Sequence, residues 1–226
     1  MSKNIFCYIQ KIIANPRRVI RSVKYRLAKN TTEEKELQAY ASLLLGYNVD
    51  LKNPKTFNEK LNWMKLFNRN PLYHRLVDKY EVKKYVEERI GSEYVVPCYG
   101  VWNSFDEIDF SILPNKFVIK STHYGAPVIV KDKSKIDYEE LREIFIEQSK
   151  NSGYKTNYEW VYKDLQPRIL IEKYLDDHTS NNVLQDYKFW CFNGVPRIMY
   201  LTVKDTEVYE NFYDMNFNEL DINHGY

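Results

Sequence analysis

Residues 116–127 read KFVIKSTHYGAP, and residues 168–177 read RILIEKYLDD. Each is a short run of β-branched and aromatic residues that ends in charge and runs into turn-forming residues, the pattern of a strand. The first predicts a strand over 116–120 that opens directly into a polar loop over 121–125. A further extended run follows at 127–130. The second predicts an isoleucine-rich strand over 168–174. Two more strands, 185–192 and 195–203, flank Asn193-Gly194. That dipeptide is a strong hairpin signal, because a tight primed turn needs positive φ at both central positions. Another extended stretch covers 208–213. Tyr94-Val95-Val96-Pro97 reads as a short strand or extended run.

The sequence before residue 91 has a different period. Residues 33–46, EEKELQAYASLLLG, predict a helix closed by Gly46. Thr56 and Glu59 form a capping box for the next helix, with Leu61, Met64, Leu66 and Phe67 as its apolar face. A helix follows Pro71, and another runs from about Lys79 to Ile90, ended by Gly91. Residues 138–150 return to helix. The fold class is therefore α+β: a helical first part, then mostly antiparallel sheet with helices, in a length that suits one domain or two small lobes. No internal repeat or low-complexity segment interrupts it.

Composition narrows the function classes. Apolar residues make up 44% of the 226, and glycine contributes only 7, which excludes collagen-like and disordered chains. The net charge of +2 gives no case for nucleic acid. Charge is unevenly placed, however: residues 1–32 carry eight Lys/Arg and no acid, leaving the rest at −6. Within residues 4–28, apolar side chains recur at helical spacing, and Pro16 divides the stretch into two shorter helices. Two readings stand for this basic amphipathic segment. It lies on an anionic membrane face, or it docks its apolar stripe on the domain and leaves its charges in water. No apolar run approaches a membrane span, and the N-terminus does not have the form of a signal peptide. Cys7, Cys98 and Cys191 form no CxxC pair or even disulfide set, which fits a reducing cytoplasm. The expected location is the cytoplasm, with its membrane face as the variant that residues 4–28 suggest.

Four groups of residues are candidates for chemistry. Asp78-Lys79 opens a helix. Lys120 ends a strand before Ser121, Thr122, His123, Tyr124 and Gly125. Glu172 and Lys173 close a strand before Leu175-Asp176-Asp177. Asp186 and Lys188 lie two apart on a strand and share a face. Lysines at strand ends beside a small-residue loop suit an anionic triphosphate, and a carboxylate past a strand suits ribose hydroxyls or an adenine amino group. The same residues also suit ordinary solvated charge pairs. His123 reads as a phosphate contact or general acid, or as a loop histidine satisfied by backbone. His74, His178 and His224 lack zinc spacing. Cys98 and Cys191 sit on apolar stretches as expected buried thiols, and Trp63, Trp102, Trp160 and Trp190 as core or lobe-interface residues. Arg168 and Arg197 lie near strand starts, where surface pairing and contact with an acidic substrate are both open.

Several blocks, in order, resemble the TupA-like ATP-grasp family over about residues 50–216. They are NPKTFNEKLNWMKLFNRNPLYHRLVDKYEVKKYV, PCYGVWNSFDEIDFSILPNKFVIKSTHYG, PRILIEKYLDD, DYKFWCFNG and NFYDMNF. The resemblance implies domains 1–48, a basic helical segment, and 49–226, an ATP-grasp-like domain. It implies an ATP- and Mg2+-dependent carboxylate ligase acting through an acyl phosphate in bacterial surface-polysaccharide biosynthesis, on a saccharide or acidic acceptor. By resemblance, Lys79 approaches the nucleotide from the first lobe, and Lys120 reaches the α- and β-phosphates. Ser121, Thr122, His123 and Gly125 stand in the phosphate-covering loop. Glu172, Lys173, Tyr174 and Leu175 form the adenine hinge, and Asp176 or Asp177 takes the ribose. Asp186 and Lys188 face the site from the second lobe, so Lys120 and Lys188 are the catalytic candidates.

Two departures follow. Tyr124 and Pro127 replace small flexible loop residues, and Pro127 removes a backbone donor. The family's metal-bearing strands are expected beyond the NFYD block, so the expectation here is a C-terminally incomplete domain with no assigned metal ligand. That leaves a truncated or inactive nucleotide-binding remnant as one alternative. A glycosyltransferase of the same pathway is the other, and only Asp176-Asp177 and an isolated Asp132 resemble its DxD-type metal pair.

Overall fold

The computed structural model describes residues 16–151, 153–176, 184–204 and 208–222. Contacts divide the chain into two compact units, residues 1–172 and 173–226.

In the first unit, helices α1 (Pro16–Ala28), α2 (Glu33–Leu45), α3 (Phe57–Phe67), α4 (Leu72–Val77) and α5 (Glu81–Ile90) precede the sheet. Pro16 occupies the first turn of α1, where its missing N–H costs nothing. Residues 1–15, and with them the first half of the expected 4–28 segment, lie outside the described residues. Gly46 ends α2 in the left-handed conformation at φ 78°, as its position suggested. The capping box of α3 is present: Thr56 Oγ1 accepts from Glu59 N at 3.2 Å, and Glu59 Oε2 accepts from Thr56 N at 3.0 Å. The N–H groups of Thr56 and Lys55 hold the Glu59 carboxyl below its ordinary range. The expected apolar face of α3 is buried only in part. Leu66 packs against the small core of α2, whereas Leu61, Met64 and Phe67 are exposed, and Glu59 is the buried residue of the helix. A small core joins Leu37 and Ala41 of α2 to Val49 and Leu51, which spans residue 48.

Strands β1 (Cys98–Trp102), β2 (Phe117–Ser121), β3 (Val128–Val130) and β4 (Ile169–Lys173) form a sheet in the order β1-β4-β2-β3. The β1–β4 and β2–β3 pairs are antiparallel. Helix α6 (Tyr138–Ser149) precedes a short helix, α7 (Gly153–Asn157). Alternation decides what each sheet face carries. Phe117 and Ile119 of β2 join Ile169 and Ile171 of β4 in a core closed by Leu141 and Phe145 of α6. Phe117, Ile119 and Ile171 are fully buried, each worth about 1.5–3 kcal/mol on area grounds. The period of two then turns Lys120 and Glu172 to the opposite face.

The second unit is a meander of β5 (Gln185–Phe192), β6 (Val195–Lys204), β7 (Val208–Asp214) and β8 (Glu219–Leu220), antiparallel throughout. Asn193 at φ 51° and Gly194 at φ 77° make the expected primed turn between β5 and β6. Phe212 stacks on Tyr200 at 5.1 Å and meets the Trp190 edge at 5.8 Å, giving this sheet its apolar centre. Cys98 and Cys191 are both exposed, against the expectation of buried thiols. Each lies beside a register shift in its strand, where the inward–outward alternation breaks. Among the tryptophans, Trp160 is buried, whereas Trp63 is exposed on α3. No helix among the described residues is long and apolar enough to cross a membrane.

Candidate functional site

Lys120 and Glu172 share one face of the first sheet, and Lys79 comes up beside Lys120 from the start of α5. Glu172 is buried, and both its oxygens are engaged. Lys120 Nζ pairs with Oε1, and Lys83 Nζ lies 2.8 Å from Oε2. Lys83 also donates to Val96 O at 2.9 Å. Sequence reading missed Lys83, although it follows Lys79 by four residues at the start of α5, the spacing of one helical turn.

Lys79 is tied twice to the end of β2. Its N–H donates to Thr122 O at 2.8 Å, and its ammonium donates to Ser121 O at 3.0 Å. Among the described residues it ion-pairs with no carboxylate. Burial pushes the Lys79 ammonium below its ordinary pKa, and the neighbouring Lys120 charge adds to the shift. Lys79 and Lys120 therefore feel each other's charge.

Asp78, also buried, fixes this corner. It accepts from Tyr80 N at 2.8 Å and Glu81 N at 3.0 Å, which caps the entry to α5. Its other oxygen pairs with Arg168 at 3.0 Å, and Arg168 reaches Glu81 at 3.1 Å. Of the two roles open to Arg168, the structure shows internal pairing. Thr122 N donates to Arg168 O at 2.9 Å, closing the link between loop, helix and β4.

The loop after β2 is more buried than its polarity suggests. Ser121, Thr122 and His123 are all buried. His123 Nε2 meets Asn151 O at 3.0 Å, and Nδ1 meets Ser121 Oγ at 3.0 Å. A carbonyl only accepts, so Nε2 carries the proton and the neutral ring accepts from Ser121 through Nδ1. Burial pushes the His123 pKa down, and the Lys79 charge pushes the same way. Of the readings open for His123, the geometry shows the backbone-satisfied one. Thr122 Oγ1 is buried without a partner among the described residues. Gly125 adopts φ +87°, and a Cβ there would run into the Gln148 side chain. That explains a glycine between Tyr124 and Ala126.

The remaining candidates lie outside this cluster. Lys173 and Leu175 are exposed and Tyr174 is half-buried, while Asp177 lies outside the described residues. Asp186 and Lys188 belong to the second unit, where they share a face as expected, with Lys188 Nζ 3.7 Å from Asp186 Oδ2. Lys188 also donates to Thr202 Oγ1 at 2.7 Å, and Thr202 donates to Glu210 Oε1 at 3.3 Å. Thr202 is buried and was not anticipated. It stands opposite Asp186 on one side and Glu210 on the other, a register that only the pairing reveals.

The first-unit cluster has the chemistry of an anion site: neighbouring ammonium groups, a hydroxyl unpartnered among the described residues, and backbone fixed by the pairing of buried Asp78 with half-buried Arg168. Its residues fit a nucleotide polyphosphate. Among the described residues no three of His, Cys, Asp or Glu converge as a metal set, so no residue is assigned to magnesium. No curated protein and no solved structure matches the chain. The model of the TupA-like ATPgrasp family matches it over residues 59–226, and that range contains every residue of the cluster. The chain belongs to the TupA-like ATP-grasp family, whose members imply ATP binding and a ligase-like activity.

Proposed function

We propose that the protein is an ATP-dependent carboxylate ligase in bacterial cell-surface polysaccharide assembly, with Lys79 and Lys120 as its polyphosphate anchors. One observation carries the reading: Lys79 is a sheltered ammonium beside Lys120, with no carboxylate of its own among the described residues. A site that shelters the Lys79 ammonium beside Lys120, with Glu172 pairing Lys120 and Lys83 but not Lys79, gains from a ligand with several negative charges. Lys83 adds a third ammonium through Glu172.

In the proposed reaction an acceptor carboxylate oxygen attacks the γ-phosphorus, the bond to the β-phosphate oxygen breaks, and ADP leaves. The acyl phosphate is then attacked at carbon by an amine or other nucleophile, which releases phosphate and gives up its proton to solvent. Lys120 neutralises the charge that builds on the α- and β-phosphates as ADP departs, and Lys79 helps to hold the nucleotide. Ser121, Thr122, His123 and Gly125 shape the loop over the phosphates. The backbone of 172–175 takes the adenine and Asp177 the ribose. Within the second unit, the Thr202 contact fixes the Lys188 rotamer beside Asp186.

Thermal shift and calorimetry with ATP, ADP and a nucleotide sugar, with and without Mg2+, test the reading. ATP is expected to raise Tm, and Lys120→Ala to remove most of the rise. With a suitable carboxylate, ADP release is expected, and hydroxylamine traps the acyl phosphate as a hydroxamate. Stabilisation by a nucleotide sugar and not by ATP overturns the proposal. So does an ATP response indifferent to Lys120→Ala.

A further inference from the structure

Helix α1 turns three of its apolar residues away from the domain, while Val19 is half-buried. Ile20, Val23 and Leu27 are 55%, 48% and 75% exposed, and no residue of the helix is buried. Their spacing of three and four puts them in one stripe along the helix. The helix is held to the domain from the opposite side. The Tyr25 ring lies 5.5 Å from Tyr40, and its hydroxyl is 3.0 Å from the Tyr158 hydroxyl, which in turn donates to Glu36 at 2.7 Å. Within Pro16–Ala28, Ile20, Val23 and Leu27 do not pack on the described part of the domain.

The borders of the stripe are cationic. At 3.6 residues per turn, Arg17 and Lys24 lie about a quarter turn to one side and Arg26 about a quarter turn to the other. The helix contains no acid, and neither do residues 1–32 as a whole.

We propose that this face of α1 is a docking surface for an anionic phospholipid bilayer, with Ile20, Val23 and Leu27 in the headgroup–acyl boundary and Arg17, Lys24 and Arg26 on lipid phosphates. Charge complementarity selects this occupant. A second copy would set Arg17, Lys24 and Arg26 against their own images. Residues 1–15 also carry lysines and no acid, so covering the stripe with them would crowd like charges. The helix lies on the bilayer and does not span it.

Flotation of the full chain with vesicles of phosphatidylcholine alone, or of phosphatidylcholine with phosphatidylglycerol, tests the surface. Binding is expected only with the anionic lipid, and to weaken with added salt. Arg17→Gln, Lys24→Gln and Arg26→Gln together are expected to lower partitioning about a hundredfold. These side chains are exposed, so the variant is expected to fold as the parent does. Ile20→Ser, Val23→Ser and Leu27→Ser together are expected to abolish binding with an unchanged circular dichroism spectrum. The ATP response, read on the same samples, is expected to be unchanged in both variants, which separates this surface from the nucleotide site. Three results overturn the proposal: no binding to anionic vesicles, equal binding to both vesicle types, or a dimer in solution that the serine variant dissociates.

Discussion

Replacing Glu172 by Gln keeps its volume and removes the counter-charge between Lys83 and Lys120. The side chains of Glu172, Lys83 and Lys120 are 6%, 16% and 29% exposed. Breaking a buried ion pair costs about 3–5 kcal/mol, chiefly because the remaining charge is stranded. Here the lysines keep some access to water, so the lower end applies, about 3 kcal/mol. For a unit of this size that corresponds to a Tm lower by about 6–12 °C. The double change Glu172→Gln with Lys83→Met is expected to recover part of the loss, since one stranded ammonium is gone. ATP binding gives the discriminating readout. If Glu172 serves as the counter-ion of the lysines, a polyphosphate takes over that role. The ATP-induced rise in Tm is then at least as large in Glu172→Gln as in the parent. The family resemblance assigns the glutamate to adenine instead, and on that assignment the rise disappears. Differential scanning fluorimetry across an ATP titration measures both quantities. A Tm within about 2 °C of the parent, or a lost ATP response, refutes the counter-ion argument.

Lys79→Met is expected to leave the ligand-free protein no less stable at neutral pH, because it removes a cation that burial and Lys120 disfavour, while abolishing the ATP response. The pH dependence has a definite sign. The pKa of Lys79 lies below its ordinary 10.5 in the free protein and is raised by a bound anion, so ATP binding takes up a proton between the two values and weakens as pH rises there. Calorimetry in buffers of different ionisation enthalpy detects the uptake. His123 sits below its ordinary 6.5, so the unfolded chain binds a proton there first, and stability falls as pH drops below 6.5. NMR titration of the ring reads the lowered pKa, and His123→Gln is expected to flatten that part of the stability profile. Gly125→Ala is expected to cost at least about 1 kcal/mol from its positive φ alone. Shortening Gln148 to Ala is expected to relieve the steric part only, and chemical denaturation of the single and double variants checks the split.

Local chemistry made several elements legible. The Thr56–Glu59 box, Gly46 and the Asn193-Gly194 turn each need a particular residue at a particular dihedral or hydrogen bond, and each is where the sequence placed it. Strands β2 and β4 were legible because their apolar runs are bounded by charge. Strand β1 was missed. Cys98–Trp102 contains Gly100, and its register shifts between Cys98 and Gly100, so no clean alternation marks it. The same irregularity undid the expectation that Cys98 is buried. The apolar face of α3 was misread in part because helical period shows only that a stripe exists, not which side meets the domain. The stripe on α1 illustrates the same limit. In the candidate site, Lys79, Lys120 and Glu172 were found from their strand-end and helix-start positions, and they do come together. Lys83 and Thr202 were not singled out, and Asp78 and Arg168 were named separately and not as a pair, because their partners lie far off in the chain and only tertiary pairing joins them.

The double attachment of Lys79 to the end of β2 has a kinetic side. An ammonium group has three protons, and Ser121 O engages one of them. Two remain for a guest, and the four-carbon stem is already immobilised when the guest arrives. A free lysine gives up about 1.5–2 kcal/mol of rotamer freedom when it is fixed. Here that loss falls in folding, before any encounter, so a productive collision need not wait for the side chain to search.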